Sequence, residues 1–182
     1  MAVRFFTTRA LVLVASGVFL AGCGSPAASG ESPGGQAQPS GGCPLTPEAL
    51  SKATSLSWAL QERKDDHPLE TAESIKVTAC LYTAADAPQD GSDPLVLRAD
   101  VATGADAATI RKDFTDTCTE YGGKVGDSAA ADGAIVCDRN GSIVEGLVGG
   151  ADRVVNVYLV NADAATAGRL TPAFDRILAA VG

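Results

Sequence analysis

Five cysteines, one histidine and 22 acidic residues are the side chains of this 182-residue chain best suited to chemistry. Spacing decides what chemistry each can do. Zinc sites and thiol–disulfide redox centres both need close pairs such as C-x₂-C, and no two of Cys23, Cys43, Cys80, Cys118 and Cys137 are so placed. His67 lies in the charged run Arg63-Lys64-Asp65-Asp66-His67-Pro68, which reads as a solvated surface loop rather than a rigid mount for a triad or a metal. Serine nucleophiles lack their usual context, because Ser-x-x-Lys does not occur and the one Gly-x-Ser-x-Gly match, Gly30 to Gly34, falls in a Gly/Ser/Pro-rich stretch with no strand or helix pattern around it. Asp86, Asp90 and Asp93 do not follow EF-hand spacing and read as a turn. Asn140-Gly141-Ser142 formally matches a glycosylation acceptor, but Asn-Gly between two apolar runs is foremost a hairpin signal. Gly122-Gly123 and Gly149-Gly150 read as a helix stop and a turn, since neither follows a strand and opens a helix as a phosphate-binding loop must. Trp58, Tyr82, Tyr121 and Tyr158 are expected to pack in or against the core, with a ligand groove as the alternative. No catalytic, cofactor-binding or metal-binding set emerges, and the expectation is a protein that is not an enzyme.

The N-terminus has the three parts of an export signal. Arg4 and Arg9 are the only charges before Cys23, and Ala10 to Leu20 is an eleven-residue apolar stretch. A membrane-spanning helix needs roughly 20 such residues. The run Leu20-Ala21-Gly22-Cys23 then resembles the lipobox of bacterial lipoproteins at all four positions. That resemblance implies cleavage after Gly22, leaving residues 1–22 as a signal peptide, with a diacylglyceryl group on the Cys23 thiol. Two acyl chains suffice for a stable anchor where one does not. The expected address is the outer face of the cell membrane.

Residues 23–42 carry the lipidated cysteine and a tether built almost wholly of Gly, Ser, Ala, Pro and Gln. Such a segment cannot bury enough apolar surface to offset its ordering entropy. As a flexible coil it would reach roughly 22–26 Å root-mean-square.

Residues 43–182 form one domain-sized segment. Loss of Arg4 and Arg9 with the signal leaves 12 basic against 22 acidic residues, a net charge of −10. Scattered acids and few cations argue against nucleic acid as a partner. They also argue against direct attraction to anionic lipid, so membrane association falls to Cys23. With Cys23 lipidated, Cys43, Cys80, Cys118 and Cys137 are an even set in an exported domain and read as two disulfides. Of three connectivities, Cys43–Cys80 with Cys118–Cys137 is preferred, because each bond then joins neighbouring elements. The loops closed are about 38 and about 20 residues, each worth roughly 3–4 kcal/mol in the chain-entropy model.

The elements that must position these residues are legible in part. Thr46-Pro47-Glu48 carries an N-cap, a proline for the first turn and an acid for the positive helix end, predicting a helix from Pro47 to about Leu56. Trp58–Leu60 suggests a short strand, and Glu62–Glu73 a surface loop. Alternation predicts strands ending near Tyr82 and running Leu95–Val101, paired as a hairpin. Ile110, Phe114 and Cys118 recur at helical spacing within a helix from Asp106 to Tyr121. Three β runs follow, Ala134–Arg139, Ser142–Val148 and Arg153–Val160. Leu170, Phe174, Ile177 and Val181 form a last helical stripe, capped at Thr171-Pro172 or kinked there within a helix starting near Asp163. The order predicts an α+β fold: an antiparallel sheet of about five strands packed by helices on one face.

The Cys-x-Leu-Thr-Pro opening at Cys43 to Leu50, the Cys80 strand, and the closing hairpins with a terminal helix are similar to small actinobacterial envelope lipoproteins of unknown function. A sheet flanked by helices in this way also resembles the Mog1/PsbP-type proteins. Neither likeness brings catalytic residues. The leading expectation is a surface-anchored, non-enzymatic binding or interaction domain for an unknown protein or small molecule. Alternatives are a carrier of a lipid or other apolar molecule and, third, an envelope hydrolase.

Overall fold

The computed structural model describes residues 42–69, 72–88, 93–104, 107–150 and 152–181. Cys23, the export signal, the tether up to residue 41 and Asp90 lie outside the described residues.

Helix α1 (Pro47–Thr54) starts where its cap predicts, with the Thr46 hydroxyl accepting from the Ala49 N–H at 3.1 Å. Then come β1 (Trp58–Leu69), β2 (Ala72–Ala84), β3 (Leu95–Thr103), α2 (Ala107–Glu120), β4 (Lys124–Asp127), β5 (Ile135–Arg139), β6 (Ser142–Gly149) and β7 (Arg153–Leu159). The chain closes with α3 (Ala164–Leu170), one 3-10 turn at Thr171–Ala173, and α4 (Phe174–Ala179). Pro172 therefore breaks the last helix rather than starting it, and Asp163 caps α3 by accepting from the Thr166 N–H.

All seven strands form one sheet in the order β1-β2-β3-β7-β6-β5-β4, and every pair is antiparallel. Five strands is thus an undercount. β4 is short and exposed throughout, so it carries no apolar alternation. β1 runs through the charged segment expected to be a loop. As the outermost strand it needs only β2 as a partner, and its exposed Glu, Arg, Lys and Asp side chains discourage pairing with a further chain.

Helices cover both faces, not one. On β2 the alternating residues Cys80, Tyr82 and Ala84 belong to a core with Leu50 of α1 and Phe174, Ile177 and Leu178 of the terminal helix. The intervening Ile75, Val77 and Ala79 pack instead with Ile110, Phe114 and Cys118 of α2. Strand alternation puts these two clusters on opposite faces. After β3, in the middle of the sheet, α2 carries the chain across one face to the far edge, and β4 to β7 return as a meander. Asn140 and Gly141, both at positive φ, make the tight β5–β6 turn.

The two disulfides are Cys43–Cys80 and Cys118–Cys137, with Cα separations of 5.9 and 5.8 Å. One fastens the entry to α1 onto β2, and the other fastens the end of α2 onto β5, on the opposite face. Gly122, at positive φ, turns the chain out of α2, and a Cβ on Gly123 would lie 2.7 Å from both sulfurs of the second bond. Gly146 is equally constrained, since its Cβ would meet Leu178 at 2.7 Å. The core under the terminal helices is closely packed. Among the described residues no helix is long and apolar enough to cross a membrane.

Candidate functional site

The α2 face of the sheet is only partly covered. α2 packs its Ile110–Phe114–Cys118 stripe over one end, and the central strands present polar side chains to the rest. Cross-strand register makes two rows there. Arg98 of β3, Tyr158 of β7 and Glu145 of β6 are paired across three strands, and Asp100 and Asn156 form the next row.

Arg98 and Asp100 are nearly sealed, at 7% and 2% exposure. Their ion pair runs from Arg98 Nε to Asp100 Oδ1 at 2.9 Å. The Tyr158 hydroxyl donates to Asp100 Oδ2 at 3.3 Å, and the Arg98 guanidinium sits 5.7 Å from the centre of the Tyr158 ring. Burial pushes the Asp100 carboxyl above its ordinary value, while Arg98 and then Tyr158 pull it back. His67, the sole histidine, also adds a small electrostatic contribution. It sits in β1 opposite Val77, half-buried, and not in a loop.

Beside this pair opens a cleft of about 320 Å³. Glu145, Asn156 and Tyr158 form its floor, Thr117 and Tyr121 one wall, Arg139 another, with Leu69 and Val144 supplying apolar surface. Asn156 Nδ2 donates to Glu145 Oε1 at 3.0 Å, and Arg139 Nη2 lies 3.5 Å from Glu145 Oε2. The Arg139 guanidinium stacks 5.6 Å from the ring centre of Tyr121, itself 67% exposed. A recess of about 40 Å³ continues beneath α2, bounded by Asp113, Phe114, Thr117, Glu145 and Asn156.

Of the four aromatic residues singled out from sequence, Tyr121 and Tyr158 meet at this cleft. Trp58 and Tyr82 are core residues, and the Tyr82 hydroxyl donates to the Leu45 carbonyl at 2.7 Å. Burial lifts the Tyr82 phenol to about 12. Asp86 is a turn residue as expected, accepting from the Ser57 N–H at 3.0 Å. Among the described residues no three His, Cys, Asp or Glu side chains converge as metal ligands do. Arg98, Asp100, Arg139, Glu145 and Asn156 are not among the residues that sequence reasoning selects. Their signal was present as polar residues two apart on one strand face, but with helices expected on one side only, that face reads as solvent.

Glu145 gives the cleft a pH signature. Burial raises its carboxyl above 4.5, against the lowering effects of the Asn156 bond and of Arg139. The folded state therefore takes up this proton more readily than the unfolded chain. Glu145 then favours folding below its ordinary range, and that contribution is lost as pH rises through the raised folded value. Glu145→Gln keeps the shape and abolishes the titration. Urea unfolding at about pH 4 and about pH 7 should show the variant gaining on the wild type at the higher pH. A stability difference independent of pH would contradict this.

No protein-family model, curated protein or solved structure matches the chain.

Proposed function

We propose that this chain is a lipoprotein of the actinobacterial envelope type. It is anchored through Cys23 to the extracytoplasmic face of the membrane, and it displays a Mog1/PsbP-like sandwich that binds a ligand without chemically changing it. The supporting observation is the cleft on the α2 face. Its polar floor is mounted on adjacent central strands, which hold recognition groups in place at little entropic cost.

Two features favour binding over the alternatives. A carboxylate-based hydrolase needs two acids within reach of substrate. Glu145 lines the cleft, but Asp100 is 2% exposed and engaged by Arg98 and Tyr158, and Asp113 meets Glu145 only across a recess of about 40 Å³, too small to seat a substrate. Carriage of an apolar molecule needs room between sheet and helices, and Leu50, Tyr82, Phe174, Ile177 and Leu178 fill that interface.

Both halves of the reading are testable. Cys23→Ser should move the protein from the membrane fraction to the soluble exported fraction, and continued retention would refute the anchor. For the domain, hydrogen exchange of the full chain is compared with and without a detergent extract of the host envelope. Protection is expected on β6, β7 and the end of α2, and should disappear when Thr117→Trp fills the cleft. Protection confined to α1 and α4, or none, would overturn the assignment of binding to this cleft.

A further inference from the structure

We propose that the ligand class of the cleft is a neutral, polyhydroxylated molecule, a saccharide, held by Glu145, Asn156 and Arg139 against the rings of Tyr158 and Tyr121. This rests on the binding reading above and narrows it.

Charge comes first. Asp113 stands only in the recess beneath α2, and the cleft itself is lined by a single opposite ionic pair, Arg139 with Glu145. Their charges cancel locally, so the cleft holds no surplus charge to select an anion or a cation.

Hydrogen bonding is more specific. Arg139 and Glu145 keep 30% and 17% of their side-chain surface exposed at the cleft, within reach of a ligand. The 3.5 Å approach of Arg139 to Glu145 Oε2 is too long for a good hydrogen bond. A guanidinium donor and a carboxylate acceptor are thus left under-used side by side. A phosphate could satisfy only the donor, and an ammonium only the acceptor. A hydroxyl both donates and accepts, so one hydroxyl, or two on neighbouring carbons, can serve both.

Shape agrees. A sugar ring has polar edges and an apolar C–H face. The cleft sets its polar atoms beside Tyr158 on the floor and Tyr121 on the rim, with Leu69 and Val144 nearby. Its volume of about 320 Å³ is at the lower end of ligand pockets, which run roughly 300–1,000 Å³. A small saccharide, or the end of a longer glycan, suits that size.

The test is a heteronuclear NMR titration of the full chain carrying Cys23→Ser, with maltose and cellobiose as neutral probes at millimolar concentrations. Inorganic phosphate, glutamate and lysine serve as charged probes without a polyol. At least one disaccharide should shift signals of β6, β7 and the end of α2. Affinity for it should fall about tenfold in Glu145→Gln, as for loss of a hydrogen bond to a charged group. Tyr121→Ala, at an exposed position where truncation spares the core, should weaken binding about fivefold through the lost ring contact. Disaccharide shifts elsewhere, or shifts unchanged in both variants, would overturn the proposal. Cleft shifts from a charged probe alone would also overturn the saccharide assignment while leaving the cleft as the binding site. No response to either disaccharide would overturn the saccharide assignment, whereas the envelope-extract experiment tests the cleft itself.

Discussion

Replacing Cys43 and Cys80 together by alanine is expected to lower the unfolding free energy by about 3–4 kcal/mol, and replacing Cys118 and Cys137 by about 3 kcal/mol. The difference follows from the sequence separations, 37 residues for the first bond and 19 for the second. A longer loop removes more freedom from the unfolded chain. Alanine is the better replacement, because Cys80, Cys118 and Cys137 are fully buried and a serine hydroxyl there would add its own desolvation cost. Domains are typically stable by only 5–15 kcal/mol. Loss of both bonds, about 6–7 kcal/mol together, would therefore consume most of a typical margin and lower the melting temperature by tens of degrees. Denaturant unfolding of each double-alanine variant gives the numbers directly. Wild-type stability in either variant would mean that the bond does little to restrict the unfolded chain. The bonds hold opposite faces of the sheet, so their effects should add closely.

Asp100→Ala is expected to cost about 3–5 kcal/mol, the largest single-residue effect foreseen near the cleft. The reason is the guanidinium left behind. Arg98 is 7% exposed, and the substitution removes the carboxylate that balances its charge while also taking the acceptor from the Tyr158 hydroxyl. The paired change Arg98→Met with Asp100→Leu has a different expectation. It removes both desolvated charges and fills the space with apolar side chains, so stability should return to near the wild-type value or exceed it. Thermal and urea unfolding of the two variants separate these outcomes. A loss below about 1 kcal/mol in Asp100→Ala would show that water reaches the pair and screens it. A paired variant as unstable as the single one would show that the network, rather than the unbalanced charge, supplies the stability.

Local structure was readable wherever a few neighbouring residues fix backbone angles. Thr46-Pro47 starts α1, Asn140-Gly141 turns β5 into β6, and Gly122-Gly123 ends α2, each by dihedral or capping chemistry contained in the segment itself. The disulfide pairing was also within reach, because each bond joins elements close in the chain order.

β1 was not readable beyond Leu60. An edge strand with both faces wet shows no alternation, and its conformation is supplied by pairing with β2. The candidate site was invisible for a related reason. Arg98, Asp100, Glu145 and Asn156 alternate with apolar residues, as any strand with one solvated face would show.

Cys23 and its neighbours, the cysteine arithmetic, the caps and the hairpin turns are properties of short segments, and the chain carries them wherever it folds. Whether Arg98 and Asp100 face water or a sealed pocket is not such a property. It depends on how the folded chain packs over the second face, where α2 covers one end and a cleft is left over Glu145, Asn156 and Tyr158. That outcome is set by contacts between residues far apart in the chain. No local periodicity encodes it, because a polar strand face looks the same before and after something is laid over it.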